Sequence, residues 1–205
     1  MKFIPSITTT NNSNWREKFR EIEEYKLEEV ALFLTGLTKE HRKSLYDTIK
    51  HSCIKRIPFV HLRDDMDVEE LDFLAKEYDT QIFNTHSERE FPIDREWLVK
   101  YRELICIENT PNSPLSEEEI KKYGGICLDF SHLENLRLLE SDKYKKEVEV
   151  LSKFPIKCNH ISAIKKEFSF VDSKTRKLRY DSHALENLGE LDYLKNYPVN
   201  YFSDF

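Results

Sequence analysis

Short runs of apolar and β-branched residues alternate along the chain with longer stretches whose apolar positions recur at helical spacing. This alternation is typical of repeated βα units, in which helices connect parallel strands. Eight strands are predicted, over residues 3–7, 30–34, 57–61, 81–86, 104–108, 126–129, 156–160 and 199–205. Eight strands with intervening helices predict an α/β fold, the closed (β/α)₈ or TIM barrel, as a single domain over residues 1–205.

The helical stretches carry their own start signals. Thr38 precedes the pattern of residues 39–49, and Ser116 with Glu119 three positions later forms a capping box. The longest helical pattern, residues 133–152, predicts one outer helix of the barrel. Residues 168–180 form two short alternating runs around a basic turn, which predicts an insertion between the seventh strand and its helix.

The length of the chain constrains this barrel. The fold typically has about 250 residues, so a chain of 205 residues requires short loops. The chain also ends within the predicted eighth strand. We therefore expect either a barrel that closes on an abbreviated strand or a truncated form of a longer sequence.

Composition narrows the class of protein. The sequence begins with no basic segment leading into an apolar stretch and has no apolar run as long as a membrane span, so neither export nor membrane insertion is expected. The four cysteines form no CxxC pair. Cys106, Cys127 and Cys158 fall in predicted buried strands, where cysteine packs as a small hydrophobic residue. A reduced cytoplasm is the expected location.

Charge bears on the choice of partner. The formal net charge of −6 argues against duplex DNA, because phosphate backbones are bound through clustered Lys and Arg. The densest basic stretch is residues 174–179. It is interpreted either as a solvated loop or as a phosphate clamp, with Lys174 and Arg176 as candidate substrate-binding residues. The sequence carries no signal for an oligomeric state.

Most histidines of the chain lie where a predicted strand ends. Five of the seven are in such positions: His61, His86, His132, His160 and His183. Glu108 and Asp129 close apolar runs in the same way. A single histidine beside an apolar strand is usually a hydrogen-bonded structural residue. Five of them together with carboxylates indicate a polynuclear site for zinc, manganese or iron.

The order of these residues resembles the xylose isomerase-like superfamily of barrels over nearly the whole chain. The order is Glu108, Asp129-x-x-His132, His160 and then Asp181-x-His183 with Asn187 and Gly189 downstream. Within the superfamily the chain is most similar to the endonuclease IV family of metal-dependent phosphodiesterases. Asp181-Ser182-His183 resembles its Asp-x-His signature, and His61 and His86 correspond to ligands that the sugar isomerases often lack.

The resemblance implies three divalent ions, with zinc expected and manganese or iron as alternatives. The implied ligands are His61, His86 and Glu108 for the first ion, Glu108, Asp129 and His160 for the second, and His132, Asp181 and His183 for the third. Glu108 would bridge the first two ions and is the expected catalytic residue. Clustered ions bind phosphoryl oxygens and activate water, so no protein nucleophile is required.

One departure from the family keeps the function open. The family has a glutamate at the end of strand eight, and here Asp204 is the nearest carboxylate. Three functions remain: a phosphoester hydrolase with a small phosphorylated substrate, a sugar or sugar-phosphate isomerase or epimerase, and a non-catalytic metal-binding barrel. The retained His61, His86, Asp181 and His183 favour the hydrolase.

Overall fold

The computed structural model describes residues 2–10, 14–170 and 178–203, with the side chain of residue 170 left out. The chain divides into two compact units. The first unit comprises Lys2–Thr85 and Phe91–Ile105, and the second comprises His86–Glu90 and Cys106–Phe205. None of the helices in the described ranges is both long enough and apolar enough to cross a membrane.

The first unit is built on four parallel strands. These are β1 (Ser6–Thr8), β2 (Ala31–Phe33), β3 (Phe59–His61) and β4 (Ile82–Thr85), each paired with the next in chain order. One row of register partners crosses all four strands, namely Ile7, Leu32, Val60 and Phe83. These four side chains are almost fully buried, so this row forms part of the core of the unit.

Four helices accompany these strands. They are α1 (Trp15–Tyr25), α2 (Lys39–Lys50), α3 (Val68–Tyr78) and α4 (Arg95–Tyr101). The predicted start of α2 at Thr38 is confirmed, because the Thr38 side chain accepts a hydrogen bond from the backbone N–H of His41. Asp67 caps α3 in the same way through Glu70. Apolar side chains such as Leu45 and Leu71 bury the inner faces of α2 and α3.

The second unit is built on three parallel strands, β5 (Ile105–Glu108, which enters the unit at Cys106), β6 (Gly125–Asp129) and β7 (Ile156–His160). The helices of this unit are α5 (Glu117–Ile120), α6 (Phe130–Leu138) and α7 (Asp142–Leu151). The capping box at the start of α5 is confirmed in part, since the Ser116 hydroxyl accepts from the backbone N–H of Glu119.

The prediction of one helix over residues 133–152 is wrong, because α6 and α7 are separate helices. Glu140 lies between them with a left-handed φ of 50°. The N–H of Ser141 donates to the carbonyl of Leu136, which is the hydrogen bond that closes a Schellman turn. Ser141 then caps α7 by accepting from the N–H of Lys143. Apolar residues recur on both sides of this turn, at Leu136, Leu139, Val148 and Leu151, which is why periodicity did not reveal the break.

After β7 the chain forms an antiparallel hairpin of β8 (Ala163–Phe170) and β9 (Leu178–Ser182). The hairpin occupies the predicted insertion and begins earlier than residue 168. It is tied to α6, because the Asn135 side-chain oxygen accepts from the backbone N–H of Tyr180 at 2.9 Å.

The predicted closed barrel of eight strands is wrong. The described residues supply seven parallel strands, β1 pairs only with β2, and β7 pairs only with β6. Val199–Tyr201, in the predicted eighth strand, is a 3-10 helix that follows Pro198. The side chain of Asn159 on β7 donates to the carbonyl of Tyr201 and accepts from the N–H of Ser203. A side chain thus bonds the backbone groups that an eighth strand would pair.

Candidate metal site

The strands of the second unit end in residue types that can bind metals. Glu108 ends β5, Asp129 ends β6 and His160 ends β7. Because side chains alternate along a strand, register decides which of them share a face. Asp129 is the register partner of His160, and Glu108 is the partner of Cys127. One face therefore carries all four side chains.

A bulge in β7 determines this arrangement. Ile126 pairs with Ile156, but the next residue, Cys127, pairs with Cys158, so Lys157 is an extra residue. If the same sequence paired regularly, without the bulge, Asn159 would lie opposite Asp129 and His160 would point to the other face. The bulge thus brings His160 to the carboxylates.

The two oxygens of Asp129 have different partners. Oδ1 caps helix α6, accepting from the hydroxyl of Ser131 at 2.6 Å and from the backbone N–H of His132 at 2.9 Å. Oδ2 lies 3.7 Å from Nδ1 of His132 and 3.8 Å from Nδ1 of His160. One oxygen is therefore structural, whereas the other faces imidazoles.

Glu108 lies among three histidines. Its side chain is 1% exposed. Oε1 is 3.7 Å from Nδ1 of His132, and Oε2 is 3.2 Å from Nδ1 of His160 and 3.9 Å from Nε2 of His86. A carboxylate so deeply buried needs a positive charge nearby, because it has lost its hydration. Imidazolium or a metal ion can provide that charge at this position.

Asn109 is a site residue that sequence reasoning missed. Its side-chain oxygen accepts from the N–H of Asp129 at 2.7 Å, and its side-chain nitrogen donates to the Asp129 carbonyl at 3.1 Å. Its own backbone carbonyl accepts from Nδ1 of His132 at 2.9 Å. One residue thus holds β5, β6 and the His132 ring together. The only sequence signal was its position directly after Glu108.

This hydrogen bond sets the tautomer of His132. A carbonyl can only accept, so Nδ1 carries a proton, and in the neutral imidazole Nε2 would be the nitrogen able to bind a metal. Nε2 lies 3.7 Å from Oδ2 of Asp181. The same oxygen accepts a hydrogen bond from the guanidinium of Arg179, so the Asp181 carboxylate lies between Arg179 and the His132 ring.

Asp181 and His183 lie at the end of the hairpin strand β9. Asp181 is in β9 of the hairpin, opposite Ile164, and Arg179 clamps its carboxylate through Nε at 2.8 Å and through a second guanidinium nitrogen. Its side chain is 3% exposed. His183 is exposed. β9 ends at Ser182, so Asp181 and His183 flank the end of a strand as predicted, although this strand is antiparallel. Their role as ligands stays a prediction.

The remaining predicted residues are spread along the chain. His86 belongs to the second unit and is half-buried beside Glu108. His61 belongs to the first unit, is buried at the end of β3, and donates from Nδ1 to the carbonyl of Leu62 at 2.9 Å. Lys174 and Arg176 lie outside the described residues.

Two groups of side chains in the second unit could hold a metal ion. One is Glu108, Asp129 and His132, and the other is Glu108, Cys127 and His160. In each group one ligand atom per residue lies within 4.8 Å of the others. The donors fit a cation, because carboxylates and imidazoles converge in a buried position where an unpaired negative charge is costly.

The same environment shifts several pKa values. Burial alone would lower the pKa of His132, but Asp129, Glu108 and Asp181 outweigh it and raise that pKa. The pKa of His160 is raised for the same reason by Glu108 and Asp129. Burial raises the pKa of Cys127 to about 12. The carboxylates therefore draw positive charge into this group of side chains.

The chain matches no protein-family model, and no curated protein matches it.

Proposed function

We propose that this protein is a metal-dependent hydrolase of a small phosphorylated substrate, with Glu108 bridging two divalent ions. The observation that carries the proposal is the position of the two Glu108 oxygens. Oε1 faces His132, and Oε2 faces His160. A carboxylate whose oxygens face different ligand groups is suited to a two-metal site, in which paired ions stabilise the attacking and leaving oxygens of a displacement.

Each side chain has a definite part in this proposal. Asp129 Oδ2 and His132, the latter through Nε2, would complete the group around one ion with Glu108, while His160 would serve the other. Asn109 fixes the orientation of the His132 ring. Bound divalent ions would supply the chemistry by acidifying water and polarising a phosphoryl oxygen. Zinc suits these nitrogen and oxygen donors, and manganese or iron are the alternatives.

Charge supports a small phosphorylated substrate over duplex DNA. The chain has a formal net charge of −6, which disfavours a phosphate backbone as partner. Arg179 lies beside Asp181 with its side chain 27% exposed, so a cation is available next to the site for one phosphate group. Lys174 and Arg176 stay proposed substrate-binding residues. The resemblance of the residue order to the endonuclease IV family also supports phosphoester chemistry.

The test is hydrolysis of bis-p-nitrophenyl phosphate by protein loaded with zinc, manganese or iron. We expect turnover by the wild-type protein and a loss of at least about 100-fold for Glu108→Gln, because the bridging charge is removed while the shape is kept. Glu147→Gln is the matched control, since Glu147 is equally buried in α7 and lies outside both metal groups.

Equal activity in Glu108→Gln and Glu147→Gln would contradict the proposal. Turnover of a ketose or ketose phosphate by metal-loaded wild-type protein, without any phosphodiesterase activity, would favour the isomerase instead. Bound metal with neither activity would favour a metal-binding protein that is not a catalyst.

A further inference from the structure

A layer of thiols lies next to the proposed metal centre. Cys106 on β5, Cys127 on β6 and Cys158 on β7 are at most 1% exposed. Cys127 is the register partner both of Glu108 on one side and of Cys158 on the other. Cys106 is two positions before Glu108, and Cys158 is two positions before His160, so all three thiols share the face that carries the ligands.

Cys127 is the thiol that lies with the proposed ligands. Among the described residues, the sets that could hold a metal ion include Cys127 together with Glu108 and His160, with one ligand atom of each within 4.8 Å of the others, and they include neither Cys106 nor Cys158.

We propose that Cys127 binds a metal ion through its sulfur, together with Glu108 and His160, as a mixed sulfur, nitrogen and oxygen site for a zinc-like ion. This inference rests on the metal centre of the proposed function. Thiolate, imidazole and carboxylate are the ligands of zinc, whereas magnesium and calcium take oxygen ligands. Cys158, the register partner of Cys127 on β7, lies outside this set.

A sulfur ligand also explains how this position can bind a metal without the strand-eight glutamate of the family that the sequence resembles. Cys127 lies in a central strand between β5 and β7. Its position is thus fixed by strand register, independently of residues 199–205. Cys127, which the sequence pattern indicated to be a packing residue, would thus be a third ligand beside Glu108 and His160.

The test is zinc K-edge X-ray absorption of the zinc-loaded wild-type protein, which needs no variant to fold. We expect a sulfur shell at about 2.3 Å in addition to nitrogen and oxygen neighbours. Cobalt substitution gives a second readout, since a cobalt–thiolate bond produces a charge-transfer absorption in the near ultraviolet. Cys127→Ser should lose this absorption, whereas Cys158→Ser and Cys53→Ser should keep it.

The outcomes separate this inference from the proposed function. A sulfur shell in protein that hydrolyses no phosphodiester upholds the inference and overturns the proposed hydrolase. A shell of nitrogen and oxygen alone in active protein overturns the inference and leaves the hydrolase standing. Failure of the wild-type protein to bind zinc or cobalt overturns the inference, and failure to bind manganese or iron as well overturns the proposed function too. A cobalt–thiolate absorption that survives in Cys127→Ser also overturns the inference.

Discussion

Glu147 offers a quantitative test of how the interior of the second unit responds to pH. Its side chain is fully buried in α7, and Oε1 accepts from the backbone N–H of Leu115 at 2.8 Å. Oε2 is buried without a hydrogen-bond partner among the described residues. Burial raises the pKa of Glu147 from its ordinary value of 4.5 to about 7, although the Leu115 N–H, Arg89 and Lys143 act to lower it.

The direction of the effect follows from the raised pKa. The folded state binds a proton that the unfolded state releases near pH 4.5, so stability is greatest at low pH and is lost as the pH rises through about 7. At about 1.4 kcal/mol for each pKa unit, ionisation of Glu147 should reduce the free energy of unfolding by roughly 2 to 3 kcal/mol between pH 5 and pH 8.

The substitution Glu147→Gln should remove this contribution. Relative to the wild type, the free energy of unfolding of the variant should increase by roughly 2 to 3 kcal/mol between pH 5 and pH 8. Urea unfolding of metal-free protein at a series of pH values measures this difference. Taking the difference cancels His132 and His160, whose raised pKa values also make the wild type less stable as the pH rises.

Glu149→Gln on the exposed side of the same helix is the matched control and should show no such change. A pH-independent difference between Glu147→Gln and wild type would refute the reasoning. It would mean that the buried carboxylate is either ionised throughout this range or hydrated in solution.

Two further substitutions test the local structure. Asn109→Ala should lower the free energy of unfolding by about 2 to 4 kcal/mol and weaken zinc binding at least about tenfold, because the N–H and carbonyl of Asp129 lose their partners. The control Asn159→Ala removes a similar pair of hydrogen bonds to the C-terminal segment and should leave zinc affinity within about threefold of the wild type. Equal zinc affinities of the two variants would count against a role for Asn109. Glu140→Gly should raise the free energy of unfolding by about 0.5 to 1 kcal/mol, because glycine adopts the left-handed φ of 50° without strain. A decrease measured by the same urea titration would contradict the left-handed turn between α6 and α7.

Much of the architecture could be predicted because parallel strands have a simple signature. Short apolar runs ended by Glu108, Asp129 and His160 correspond to β5, β6 and β7, and these side chains do meet. The eighth strand could not be predicted correctly, because residues 199–205 have the composition of a strand. The side chain of Asn159, about 40 positions away, bonds the backbone of this segment instead.

The details of the site depend on contacts that the local sequence does not encode. The extra residue Lys157 decides that His160 faces Asp129, and no pattern in residues 156–160 marks this bulge. Asn109 acts through the backbone of Asp129, which is 20 positions away. Cys127 has the residue type and burial of ordinary packing, and only register shows that it lies beside Glu108.

The central claim is that Glu108 joins two metal ions, and metal content tests it most directly. Elemental analysis of zinc-loaded protein after removal of free metal should find about two ions per chain in the wild type. Glu108→Gln should lose more than one of them, because both ligand groups contain Glu108. Metal content that is the same in Glu108→Gln and the wild type, or a wild-type protein that retains no metal, would contradict the account.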